Sequence, residues 1–150
     1  MKIYILGVLF CLTLISCNNK RNDLPKFQKY IETSFENHQL LDNQLYVFIP
    51  KDMCSTCVAG VINYFNTLSN KEKNKITGVF VGNSSKELAF ITNDLKDKSN
   101  ILLDGKEAAY NMEFISDSHC TIVTKVDNDF NTFSFLENNL FLITNKIDDF

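Results

Sequence analysis

The chain predicts an α/β fold on a central mixed sheet, and three observations carry that expectation. An apolar run, Leu45-Tyr46-Val47-Phe48-Ile49, leads straight into a segment whose apolar positions recur at helical spacing. A second strand-then-helix unit follows at once, so the early strands should be parallel neighbours joined by crossovers. Further along, Thr121 to Val126 alternates, favours β-branched residues and runs into the turn Asp127-Asn128-Asp129, which reads as an antiparallel hairpin.

Taken in order, Leu24, Phe27, Ile31 and Phe35 fall at helical spacing, with Pro25 suited to a first turn. They predict an amphipathic helix from about Leu24 to Asn37. His38 to Asn43 is a connector with His38 facing solvent, and Leu45 to Ile49 is a buried strand. After the loop Pro50-Lys51-Asp52-Met53, residues Cys57, Val58, Val61, Ile62, Phe65 and Leu68 mark one face of a helix ending near Ser69-Asn70. Gly60 weakens that helix by about 1 kcal/mol relative to alanine.

Lys75 to Val81 predicts the second strand, and Gly82-Asn83-Ser84-Ser85 a turn that supplies an N-cap. Leu88, Ile91 and Leu95 predict a helix to about Lys96. Asn100 to Asp104 is a short strand, followed by a weaker helical patch from Lys106 to Met112. Asn131 to Leu136 pairs back on Thr121 to Val126. Leu140 to Ile147 is apolar enough to be buried, with strand and short helix both open. The order is βα-βα-β(α)-ββ. In such sheets sites lie at the carboxyl ends of the strands, which is where Cys54-Ser55-Thr56-Cys57 falls.

The first seventeen residues read as an address. Lys2 supplies a positive start, and Ile3 to Ile15 are uncharged and mostly apolar. This run falls short of the roughly 20 apolar residues that span a bilayer and fits a signal-peptide core. Leu14-Ile15-Ser16-Cys17 resembles the lipobox of bacterial lipoproteins, in which the cysteine becomes the lipidated first residue. The resemblance implies a signal peptide over residues 1–17, lipid on Cys17, a polar tether over 18–23 and one domain over 24–150. The mature protein would face the periplasm from the bacterial cell envelope, tethered by lipid rather than spanning the membrane. Asn18, in place of the aspartate that signals inner-membrane retention, favours the outer membrane.

Processing also changes the counts. Residues 1–17 contain Lys2 and no acid, so their loss takes the formal charge from −3 to −4. That mild acidity, with no basic patch interleaved with aromatics, argues against nucleic acid as a partner. Of five cysteines, Cys11 leaves with the signal and Cys17 carries lipid; Cys54, Cys57 and Cys120 remain, one pair and one leftover thiol. Outside the cytosol such a pair can be oxidised and needs an explicit electron partner.

Two thiols three residues apart at a strand-to-helix junction can close a small disulfide. The helix N-terminus stabilises the first sulfur as a thiolate. Lys51 would lower its pKa further and Asp52 would oppose that. The pair reads either as a redox dithiol or as a structural disulfide.

Strand, CxxC, helix, strand, helix, extra strand and hairpin together resemble the thioredoxin-like superfamily, and within it redoxin-type envelope proteins. The likeness covers roughly residues 40–140 in the order of elements, with FIPKDMCSTC as its motif. It implies a three-layer α/β/α sandwich around a central mixed sheet. It also implies that Cys54 attacks as nucleophile while Cys57 resolves the mixed disulfide. Such a thiol–disulfide oxidoreductase needs no cofactor beyond its dithiol. Its partners would be protein thiols or disulfides and a membrane electron donor or acceptor, with redox direction open. The chain departs from the family in carrying Met53 where an aromatic is common. It also carries His119-Cys120 where a cis-proline is usual, its only prolines being Pro25 and Pro50.

That departure gives His119 and Cys120 two readings each. Cys120 is either a small buried residue at a strand start or a participant facing the CxxC. His119 is either a surface loop residue or an acid/base near the thiolate. Together with Cys54 and Cys57 they would offer up to four soft ligands, the basis of an alternative Cu(I) or Zn module. A non-catalytic lipoprotein on the same scaffold is a third reading. Asp104 and Asp127 read as strand-end and turn residues, and no paired carboxylates suggest glycosidase chemistry. Gly82-Asn83-Ser84-Ser85 lacks the spacing of a phosphate loop.

Overall fold

The computed structural model describes residues 24–36, 38–115, 119–126 and 129–135. The expectations for residues 1–23, Cys17 among them, for Asp127-Asn128 and for Leu136 onward, including Leu140 to Ile147, lie outside the described residues.

Five strands form one mixed sheet in the order β3-β2-β1-β4-β5. Strand β1 (Gln44–Pro50) is its centre, parallel to β2 (Ile76–Val81), which is parallel in turn to β3 (Ile101–Asp104). On the other side of β1 runs antiparallel β4 (Cys120–Val126), and β5 (Asp129–Phe135) closes the hairpin. Every residue of β1 is buried, which is why it reads as an unbroken apolar run rather than an alternation.

Helices cover both faces of the sheet. Leu45, Val47 and Ile49 point to the face packed by α2 (Ser55–Thr67) and α4 (Ser85–Ile91). Tyr46 and Phe48 point to the face packed by α1 (Leu24–Ser34) and α5 (Ala108–Asn111). Helix α2 lies very close to β2: a Cβ at Gly78 would meet the Phe65 ring at 3.0 Å and Ile101 Cδ1 at 3.0 Å. The missing side chain is what lets the helix settle there.

Several boundaries differ from the expectation, each for a physical reason. Helix α1 ends at Ser34, and past it the His38 N–H bonds the Phe35 carbonyl at 3.2 Å, three residues back rather than four. A further one-turn helix, α3 (Asn70–Lys73), follows α2, held by a capping box between Ser69 and Glu72. The box was legible as Ser69-x-x-Glu72. Helix α4 stops at Ile91 and continues only as a 3-10 turn over Thr92–Asp94. There Asn66 of α2 donates to the Asp94 carbonyl (3.0 Å) and accepts from the Lys96 N–H (2.9 Å), which fixes the chain before another α turn can form.

His38 is a correction: it is half-buried, its ring lies edge-on to Tyr46 at 6.2 Å and its Nε2 is enclosed without a hydrogen-bond partner. Burial lowers its pKa. Among the described residues no helix is long and apolar enough to cross a membrane.

Candidate functional site

All three parallel strands end on the same side, and the loop after β1 delivers the CxxC there. The Lys51 N–H bonds the Val81 carbonyl at 2.8 Å, extending the β1–β2 ladder by one rung. The Met53 N–H then reaches back to the Pro50 carbonyl at 3.3 Å, turning the chain, and the Met53 side chain is buried. Cys54 follows as the N-cap of α2, with non-helical φ −59° and ψ 144°.

Cys54 and Cys57 form a disulfide, their Cα atoms 5.1 Å apart. The two sulfurs stand in unlike surroundings. Cys54 is exposed, and its Sγ accepts from the Cys57 backbone N–H at 3.2 Å; the Thr56 hydroxyl lies 3.1 Å from it. Its carbonyl accepts the first helical bonds, from Cys57 N (2.9 Å) and Val58 N (3.0 Å). Cys57 is half-buried and packs against the aliphatic core. In the dithiol, a Cys54 thiolate would meet a backbone amide, a hydroxyl and the positive end of a helix of 13 residues, all of which favour the charged form. Sequence reasoning missed Thr56 as a donor, although a hydroxyl two residues after an N-cap is within reach of it.

Lys51 has a partner across the sheet. Its ammonium pairs with Glu107 at 3.0 Å. Glu107 raises the lysine pKa, chiefly through that hydrogen bond, with smaller contributions from Asp52 and Glu87. Lys51 therefore serves as a tie between the β1 and β3 ends of the sheet. Glu107 holds its half of the tie from a left-handed backbone, φ 54°, the kind of strained position that persists only where the surroundings fix it.

Strand β4 runs antiparallel, so its first residue, Cys120, begins beside the end of β1 that carries the motif. Cys120 is fully buried, with its Sγ 3.2 Å from Met53 Sδ. Met53 thus fills the space between the leftover thiol and the loop of the pair. His119 immediately precedes β4 and is half-buried. Among the described residues no group of three or more His, Cys, Asp or Glu side chains is placed to hold a metal ion.

An open groove of about 610 Å³ flanks the pair, lying between α2 and the α4 end of the next crossover. Met53 and Ser55, which bracket Cys54 in sequence, form its near wall.

The chain matches no protein-family model, no curated protein and no solved structure.

Proposed function

We propose that the chain is a thioredoxin-like thiol–disulfide oxidoreductase, tethered by lipid at Cys17 in the bacterial cell envelope. The sheet order, with a parallel half, an antiparallel half and the CxxC at the central β1–α2 junction, supports that fold assignment. One observation carries the activity: the pair is asymmetric, with Cys54 exposed and hydrogen-bonded at a helix N-terminus and Cys57 half-buried behind it.

The chemistry follows from that asymmetry. In the dithiol, the Cys54 thiolate attacks one sulfur of a substrate disulfide; that S–S bond breaks and the other substrate sulfur leaves as a thiolate. Cys57, deprotonated in turn, attacks Cys54 Sγ and expels the second substrate sulfur. Two electrons pass to the substrate and the Cys54–Cys57 disulfide remains. The reverse sequence oxidises a substrate dithiol. A dithiol or disulfide partner at the membrane restores the starting state.

Cys54→Ser should abolish reduction of a glutathionylated peptide, a loss greater than about 100-fold for a removed nucleophile. Cys57→Ser should instead accumulate the Cys54–peptide adduct, visible as added mass under non-reducing conditions. Full activity in Cys54→Ser would remove the proposal.

A second reading, a Cu(I) carrier, draws on the contact between Met53 Sδ and Cys120 Sγ, soft donors in the layer against which Cys57 packs. Metal analysis of the reduced protein decides it. A chain that retains no copper against a chelator is no carrier.

A further inference from the structure

The groove beside the CxxC runs along one stripe of α2. Ser55, Val58, Ala59 and Ile62 recur at helical spacing on its floor, and Ile91 and Phe90 of α4 form the opposite wall. Phe90 is 85 % exposed, the largest aromatic surface the described residues offer to solvent. A phenyl ring held in water beside an apolar floor leaves surface that a partner would cover.

The position of the groove limits what that partner is. Its near wall is Met53 and Ser55, the chain neighbours of Cys54, so a molecule joined to Cys54 Sγ has the groove open on one side of it. From Ser55 to Asn63 the floor is about 12 Å long at the helical rise, which matches three to four residues of extended chain. Asn63 and Asn93 stand at the rim, each with an amide donor and an acceptor of the kind peptide groups use. Lys51 is the one cation in the lining, and Glu107 holds it; Asp94 adds a carboxylate. The groove lies on the β2–β3 side of α2, away from the β4 end where His119 and Cys120 stand.

We propose that this groove selects the substrate: an extended polypeptide whose residues beside the reacting cysteine are apolar and free of acid. The proposal rests on the oxidoreductase reading and adds what the enzyme reduces. Side chains next to the substrate cysteine pack on Val58, Ile62 and Phe90, and Asp94 disfavours a neighbouring carboxylate.

Three substrates test it with the full, reduced chain in single turnover. They are glutathione disulfide, and two glutathionylated peptides with Leu-Leu or Ser-Ser beside the cysteine. In each, the protein dithiol supplies two electrons and is left as the disulfide; glutathione disulfide becomes two glutathione thiols, and each mixed disulfide becomes peptide thiol and glutathione. The Leu-Leu peptide should react about tenfold faster than the Ser-Ser peptide, the size of one anchoring contact of ~1.4 kcal/mol. Phe90→Ser should bring that ratio close to one. Replacing one Leu by Glu should slow the wild type severalfold, and Asp94→Asn should remove that penalty. Reduction of all three substrates without preference, or a preference kept in Phe90→Ser, overturns the groove and leaves the oxidoreductase reading intact. A chain that reduces none of the three overturns both.

Discussion

The two faces of the sheet are built from one strand and used differently. The even residues of β1, Tyr46 and Phe48, enter an aromatic cluster in which Phe27 meets Tyr46 edge-on at 5.2 Å and Phe114 at 5.4 Å. Its polar core is closed: the buried Tyr30 hydroxyl donates to Asp104 at 3.1 Å, and the same carboxylate accepts from the Lys106, Ala108 and Ala109 backbone N–H groups. Burial and Asp104 push the Tyr30 pKa far above its ordinary value, so the phenol keeps its proton. The odd residues, Leu45, Val47 and Ile49, enter an aliphatic layer with Val61, Ile62 and Phe65. That layer ends in sulfur, from Met53, Cys57 and Cys120, and opens into the groove. The aromatic face encloses its polar groups, and the aliphatic face carries the disulfide at its edge.

That division can be broken experimentally, most forcibly at Phe27. Phe27 is fully buried, and Phe27→Ala should cost about 3–5 kcal/mol through lost contacts and the cavity left behind. Against a typical total of about 5–15 kcal/mol that is a large share. Urea denaturation measures the loss. Exchange by the molecules that remain folded should keep its wild-type rate, and a fall in that rate would show the aromatic face reaching the disulfide. Phe90→Ser on the other face should change stability by less than about 0.5 kcal/mol, as exposed substitutions do. Tyr30→Phe is the gentler test of the aromatic face. It keeps the ring and deletes the hydroxyl, so a loss of about 1–3 kcal/mol is expected for a buried hydrogen bond to a carboxylate. No change in midpoint would mean that the three backbone donors already satisfy Asp104.

Much of this is legible in the residues alone. The apolar run of β1, the two crossovers and the hairpin pattern gave the mixed sheet, because period and order survive packing. The CxxC was legible as a junction motif, since Cys54 caps a helix that the pattern already began there. Partnerships across the sequence were not. Lys51 finds Glu107 only after the β1 and β3 ends are brought together, and Asn66 ends α4 from another helix altogether. His38 read as solvent-facing because its connector is polar; only the fold brings Tyr46 beside it. Asp104 read as a strand end, which it is. Its role in organising the first turn of α5 depends on being buried beneath Tyr30, a contact 74 residues apart in sequence.

The smallest expected effect lies at the rim of the aliphatic face, where polar anchoring is exposed rather than enclosed. Asp97 accepts from the Ser99 N–H at 2.9 Å and from the Lys73 ammonium at 3.1 Å, joining α3 to the link before β3. The Ser99 bonds and then Lys73 lower its pKa from 3.8 to about 2. Because the folded value lies below the unfolded one, the unfolded chain takes up the proton first as pH falls. Asp97 therefore contributes its stability above about pH 3.8 and loses it as pH drops toward about 2. Asp97→Asn should lower the urea midpoint slightly at pH 6, with the gap to wild type closing below pH 3.8. Added salt should narrow the gap at pH 6, since an exposed pair is screened. A gap that stays constant across that pH range would mean the Asp97 charge contributes nothing. The anchoring would then be geometric on both faces, and the contrast between an enclosed and an exposed polar anchor would lose its electrostatic half.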